Sequence, residues 1–150
     1  MKDGSRAASV DTRDYRTTLQ ITFAYDGERV RLVDIRRRQG IAPGSPLPTP
    51  VAGKNSGSWV ELRDGQDRPL FYRGLHNPVR YMVEEHLPDG RIRAVPGPPE
   101  TGTFEVLLPD IPEAASVVLF SSPFDMEHSG EPAEEIGSFL LAEHDLGKAD

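Results

Sequence analysis

Four histidines, spread widely along the chain, are the residues with the broadest possible chemistry. They are His76, His86, His128 and His144. Imidazole nitrogens bind zinc and other transition metals, and a β-fold can bring distant strands together around one ion. Glu84 and Glu85 would add carboxylates next to His86. The spacing matches no metal-ligand pattern, and histidines beside acids are commonly solvated. A metal-dependent enzyme is therefore the weakest of our hypotheses, and we assign no metal ligand.

A run of acidic residues near the C-terminus is a second candidate site. Its five members are Asp125, Glu127, Glu131, Glu134 and Glu135. Calcium takes oxygen ligands, so carboxylates in one loop could bind it. The run lacks the D-x-[DN]-x-[DN]-G pattern of calcium-binding loops. We therefore favour a solvated acidic loop without a bound ion.

The sequence motifs of common enzyme classes are absent. No glycine-rich phosphate loop, no G-x-S-x-G elbow and no H-E-x-x-H helix occurs in the chain. Cysteine is also absent, which excludes disulfides, thiol catalysis and cysteine-ligated zinc. We predict that the protein is not an enzyme, and we assign no catalytic residue, no cofactor-binding residue and no cofactor.

Arginine is concentrated in the segment RVRLVDIRRRQGI, which we predict to be a strand. On a strand, Arg36 and Arg38 share a face with Asp34. One hypothesis is a patch that binds an acidic partner. The alternative is an edge strand that charge protects from aggregation. Both remain open at this point, and the candidate partner-binding residues are Arg29, Arg31, Arg36 and Arg38.

Three aromatic side chains could form a binding platform. Trp59, Tyr72 and Tyr81 are large enough to stack on a sugar or a peptide. The alternative is that Trp59, the one tryptophan of the chain, packs between the two sheets of a sandwich. We favour this core position.

The clearest structural element is the hairpin expected over residues 58–75. Two apolar-rich runs flank the turn sequence DGQD, and Val60 and Leu62 share the inward face of the first run. In the arginine-rich segment, by contrast, the apolar phase flips between Leu32 and Val33. Such a flip indicates either a β-bulge or a strand that bends from one sheet to the other.

The remaining segments complete a β-rich pattern. Residues 41–57 form a long loop rich in proline, which we interpret as a solvated crossover. We favour a second hairpin over residues 81–95, and a closing strand, or alternatively a short helix, over residues 138–146. Turn signals recur every 8–15 residues or so. The prediction is an all-β protein, an antiparallel two-sheet β-sandwich of immunoglobulin-like type with about eight or nine strands.

Length and charge limit the organisation and the partners. The 150 residues suit one domain, which we place at residues 17–147 between a flexible segment 1–16 and a tail 148–150. A net charge of −7 disfavours nucleic acid. The chain has neither an apolar run of membrane-spanning length nor the apolar core of a signal peptide. We expect a cytoplasmic protein without membrane insertion.

The runs WVELRDGQDRPLFYRGL and TFEVLLPDIPEAASVVLF carry a family resemblance. They resemble bacterial immunoglobulin-like and fibronectin-type-III-like accessory domains, and are similar to the non-catalytic sandwich of IgA-peptidase-like metallopeptidases. The zinc motif of those enzymes is missing, so the resemblance implies only the accessory role. It implies a non-enzymatic module for protein–protein interaction or assembly, with partner and oligomeric state undefined. A carbohydrate-binding or cell-surface module is the alternative.

Overall fold

The computed structural model describes residues 10–26, 29–45, 49–75, 82–96, 101–123 and 130–144. Within these residues, nine strands alternate with turns, and no described helix is long and apolar enough to cross a membrane. The elements in chain order are a 3-10 turn (Thr12–Asp14), β1 (Thr17–Asp26), β2 (Arg29–Gln39), β3 (Ser58–Asp64), β4 (Pro69–Leu75), β5 (Met82–His86), β6 (Ile92–Pro96), β7 (Thr101–Pro109), β8 (Ala114–Ser121), β9 (Glu134–Leu140) and α1 (Leu141–His144).

Seven of the strands form a two-layer sandwich. The first sheet has the order β2-β1-β7 and the second has the order β4-β3-β8-β9, with every pair antiparallel. At the two open sides of the sandwich, β7 lies near β4 and β2 lies near β9. The predicted all-β, two-sheet architecture is confirmed, but the sandwich has seven strands rather than the expected eight or nine, because β5 and β6 form a sheet of their own.

Alternate side chains of each sheet fill the space between the layers. Leu19, Ile21 and Phe23 of β1 are fully buried against Val60 and Leu62 of β3, which confirms the inward face predicted for that strand. Burying one such side chain contributes roughly 1.5–3 kcal/mol to folding. The core is completed by Leu32, Ile35, Phe71, Val106, Leu108, Ile111, Val117 and Leu119.

The phase flip in β2 is a β-bulge. Thr22 of β1 pairs with Asp34 and the next residue, Phe23, pairs with Leu32, so Val33 is an extra residue. Val33 is 38% exposed, whereas Leu32 and Ile35 on either side of it are buried. Both halves of β2 pair with β1, so the alternative of a bend into the other sheet is wrong. One extra residue restores the inward phase of the apolar side chains.

The hairpin of β3 and β4 is confirmed, and Asp64 explains its turn. The Asp64 carboxylate accepts hydrogen bonds from the backbone N–H groups of Gln66 and Arg68, both at 2.9 Å. These bonds lower the pKa of Asp64 below its usual value. The bond from Arg68 has the largest effect and outweighs the opposing effect of desolvation, and the bond from Gln66 adds to it. Asp67 completes the turn with a left-handed φ of 63°, a conformation that Asp tolerates.

The second predicted hairpin is also present, as β5 and β6. It forms a separate two-stranded sheet and, among the residues that the structure describes, it pairs with neither sheet of the sandwich. Its turn is closed by the backbone hydrogen bond from Leu87 N–H to the Arg91 carbonyl. For residues 138–146, both predicted alternatives occur in sequence, since β9 ends at Leu140 and α1 follows.

The strand order agrees with an immunoglobulin domain in one sheet only. The order β3-β8-β9 corresponds to the C-F-G order of such domains, with β4 as an added edge strand. In the other sheet of an immunoglobulin domain, the second strand lies between the first strand and its later partner. Here the first strand, β1, occupies that central position between β2 and β7.

Candidate functional site

The four candidate arginines line one exposed face of β2. Strict alternation would place Arg29 and Arg31 on the face opposite to Arg36 and Arg38. The extra residue Val33 shifts the phase between the two pairs. As a result, all four are exposed on the outer face of the first sheet, over roughly 30 Å of strand. We call this set, Arg29, Arg31, Arg36 and Arg38, the arginine row.

Neighbouring acidic residues compensate the positive charge of only part of the arginine row. The Nε of Arg36 contacts Asp34 at 2.8 Å, and Arg29 lies directly opposite Asp26 on β1. Arg31 lies opposite Ala24, and Arg38 donates to the side-chain amide oxygen of Gln20. The positive charge of the row is therefore concentrated at Arg31 and Arg38.

Arg37 has a different role from its two neighbours. It points to the inner side of β2, and its Nε donates to the carboxylate of Asp110 at 3.1 Å. Both side chains are about one-fifth exposed. This pair connects the edge strand to the segment after β7, so Arg37 supports the sheet that displays the row.

Trp59 is buried, but not where the sequence predicted. It lies on the face of β3 opposite to Val60 and Leu62, so the predicted position between the sheets is wrong. Its ring stacks on Phe120 at a centroid distance of 5.3 Å, in a second cluster completed by Tyr72, Val118 and Ala133. Trp59 is only 2% exposed and Tyr72 only 7%. The predicted aromatic platform is thus covered at these two residues, and Tyr81 lies outside the described residues.

Sequence reasoning missed a buried ion pair beside this cluster, for which no local pattern is a signal. Glu61 is fully buried, and its carboxylate accepts from the Trp59 indole N–H at 3.1 Å and from two nitrogens of Arg63 at 2.9 and 3.1 Å. The Arg63 guanidinium also lies 5.4 Å from the Phe120 ring centroid. Burial works to lower the pKa of Arg63, but hydrogen bonds to Asp67 and Glu61 outweigh it and raise that pKa.

The proline-rich loop 41–57 is more than a solvated crossover. Ser45 donates its hydroxyl to the Tyr72 carbonyl, and Ala133 of the second cluster exchanges backbone hydrogen bonds with the loop. Those bonds run from Gly53 N–H to the Ala133 carbonyl and from Ala133 N–H to the Asn55 carbonyl, at 2.9 and 2.8 Å. Residues 53–55 of the loop therefore lie beside Ala133 at the Trp59 cluster, and Ser45 connects the start of the loop to β4.

No metal site is found around the histidine side chain that the structure describes. In α1, the Nδ1 of His144 is 3.0 Å from the Leu140 carbonyl and its ring packs edge-on against Phe139. His76 and His128 lie outside the described residues, as do Asp125 and Glu127 of the acidic run. Within the part of the chain that the structure describes, no group of three or more metal-ligating side chains is found.

Comparisons with known proteins do not assign a family. No protein-family model matches the chain. No curated protein matches it either, and no solved structure does. The functional argument therefore depends on the chain's own residues.

Proposed function

We propose that this domain is a non-enzymatic protein-interaction module that binds an acidic partner through the arginine row. The observation that carries the proposal is the bulge at Val33, which aligns Arg29 and Arg31 with Arg36 and Arg38 on one exposed face. Bulges in edge strands commonly re-aim side chains in this way. An edge that only needed protection from aggregation would not require the arginines to share one face.

The chemistry of arginine supports a carboxylate-bearing partner. The guanidinium group is planar and weakly hydrated, and it binds a carboxylate through two parallel hydrogen bonds. Arg31 and Arg38, whose nearest cross-strand residues are uncharged, are the members best able to form such bonds. Because the chain as a whole is acidic, with a net charge of −7, the row also favours one orientation of an acidic partner.

An immunoglobulin-like ancestry fits this proposal. The order of β4, β3, β8 and β9 supports it, and the central position of β1 in the other sheet argues for a rearranged variant. A sheet of such a domain can bind a neighbouring protein at an exposed edge. In the second sheet, Ala133 and Tyr72 are bonded to the described parts of the loop 41–57, which favours the first sheet for that role.

Charge reversal of the two least compensated arginines tests the proposal. A variant with Arg31→Glu and Arg38→Glu is compared with the wild type as bait for proteins from the source organism, with quantitative detection. The matched control carries Arg13→Glu and Arg91→Glu, which change charge equally at exposed sites outside the row. We expect the row variant to bind the acidic interactors up to about thirtyfold more weakly, because two exposed charge contacts together contribute up to about 2 kcal/mol.

The control variant is expected to retain the same interactors as the wild type. Retention should also weaken as salt concentration rises, because exposed charge contacts are screened. If the row variant retains every interactor of the wild type at equal yield, the arginine row is not the binding surface.

A further inference from the structure

We propose that β7 is a self-association edge at which two copies of this chain pair, β7 against β7, in an antiparallel two-fold arrangement. This inference concerns a different strand from the arginine row and does not depend on it. It starts from the four edge strands of the sandwich, β2 and β7 in the first sheet and β4 and β9 in the second. Exposed edges pair with other chains unless a bulge, a proline or charge prevents it.

Three of these edges carry such protection. β2 has the bulge at Val33 and the arginine row. β4 begins at Pro69, and a shift in its pairing with β3 leaves Leu70 as an extra residue. β9 has a comparable extra residue at Ile136, next to Glu134 and Glu135. Each device interrupts the regular row of backbone groups that an added strand would need.

β7 lacks these devices over most of its length. Its ladder with β1 is continuous over nine residue pairs, from Asp26–Thr101 to Thr18–Pro109, without a register shift. Its one proline, Pro109, is at the end of the strand, and Glu105 is its one charged residue. Within the described strands, the hairpin of β5 and β6 does not pair with β7. Among the described edges, β7 is therefore the one best suited to accept another strand.

Two observations identify the backbone groups that point away from β1. The N–H of Asp110 donates to the Thr17 carbonyl of β1, so even-numbered residues of this strand face β1. The carbonyl of Leu107 instead accepts from Arg73 of β4, at 3.0 and 3.1 Å. Odd-numbered residues thus face outward. Because Arg73 covers the edge at Leu107, the open part consists of Thr101, Thr103 and Glu105, whose side chains are exposed.

This open segment is complementary to itself. With the two-fold axis at Thr103, that residue pairs with its own copy, and Thr101 pairs with Glu105 of the second copy. All three pairs exchange two backbone hydrogen bonds, which makes about six in total. No like charges face each other, and Thr–Thr pairs are favourable across strands. An axis at Glu105 would oppose two carboxylates, and one at Leu107 would displace Arg73. An axis at Gly102 or Phe104 would form two such pairs within the open segment rather than three, so the axis at Thr103 is favoured.

A proline substitution tests the edge directly. In the wild type, sedimentation equilibrium from micromolar to millimolar concentration should show a monomer–dimer equilibrium. Thr103→Pro removes an outward N–H that β1 does not use, and proline is tolerated at such edge positions. We expect it to raise the dimer dissociation constant about thirtyfold, because two symmetry-related hydrogen bonds are lost. The control Thr103→Val keeps the N–H and should dimerise as the wild type does.

Substitutions at Thr101 test the register. Thr101→Lys should tighten the dimer about fivefold, because its charge would lie opposite Glu105 of the second copy, and Thr101→Glu should weaken it similarly. In amide hydrogen exchange, residues 101, 103 and 105 should gain protection on dimerisation. A wild type that stays monomeric up to millimolar concentration overturns the proposal. It is also overturned if Thr103→Pro, shown to be folded by circular dichroism, dimerises as the wild type does.

Discussion

Replacing Arg63 by methionine should destabilise the fold well beyond what a surface arginine would. Glu61 is fully buried, and two of its hydrogen bonds come from Arg63. Without the guanidinium, the buried carboxylate beside Trp59 loses these two hydrogen bonds and the positive charge that supplied them. Removing one partner of a buried ion pair costs about 3–5 kcal/mol. Because the Trp59 indole N–H remains bonded to Glu61 and Arg63 is 13% exposed, we expect the lower end, about 3 kcal/mol.

Two further variants test whether the loss of stability in Arg63→Met comes from breaking the buried ion pair. Arg68→Met removes an arginine of the same hairpin whose own side chain is 67% exposed, and it should cost less than about 1 kcal/mol. The double variant Glu61→Leu with Arg63→Met removes both charges. It should be more stable than Arg63→Met alone, since apolar replacements of buried ion pairs are often neutral. A residual cost of about 1 kcal/mol is expected, because the indole N–H loses its acceptor.

Urea unfolding gives the free energy of unfolding of the wild type, of Arg63→Met, of Arg68→Met and of the double variant. Trp59, the one tryptophan, reports on the cluster itself, and far-ultraviolet circular dichroism reports on the sheets, so coincident transitions establish two-state behaviour. For a chain of this length, about 3 kcal/mol corresponds to a fall in Tm of about 6–12 °C. The reasoning is refuted if Arg63→Met unfolds within about 1 kcal/mol of the wild type, or if the double variant is no more stable than Arg63→Met.

Two other substitutions test local features of the fold. Asp64→Asn should lower stability at neutral pH, and this deficit should shrink as the pH falls below about 4. The reason is that the Asp64 carboxylate, whose pKa is lowered in the fold, stabilises the fold only while it is ionised. Urea midpoints of both proteins measured from pH 7 to pH 3 check this. A deficit in stability that does not change with pH contradicts it. Arg73→Met should cost about 1–2 kcal/mol, because the carbonyls of Gly44 and Leu107 lose their donor. Thermal unfolding measures this loss, and an unchanged Tm would show that Arg73 does not connect β4 to β7.

The arrangement of strands follows from the sequence wherever alternation and turn chemistry are strong. Val60 and Leu62 alternate with polar neighbours, and the Asp64 turn follows directly, so the hairpin of β3 and β4 could be predicted with its inward face. The phase flip at Val33 likewise indicated a bulge or a bend. Only the pairing of β1 with both halves of β2 decided between them, because that choice depends on a strand elsewhere in the chain.

The location of the buried groups needed the tertiary structure. Local sequence indicates which face of β3 each side chain occupies, but it does not indicate what covers that face. Trp59 and Glu61 alternate with the residues of the sandwich core, and they are buried on the other face of β3, where Ala133 and its hydrogen bonds to Gly53 and Asn55 bring together distant segments.

The same limit applies to the candidate surfaces. The members of the arginine row could be identified from the sequence, because they lie in one predicted strand. The open edge of β7 could not be identified from the sequence, because it depends on the sheet order and on where Arg73 lies. Short-range periodicity thus determined the strands and their faces. Sheet order, edge protection and the burial of Trp59 were decided by contacts between distant residues, and a local pattern carries no information about those contacts.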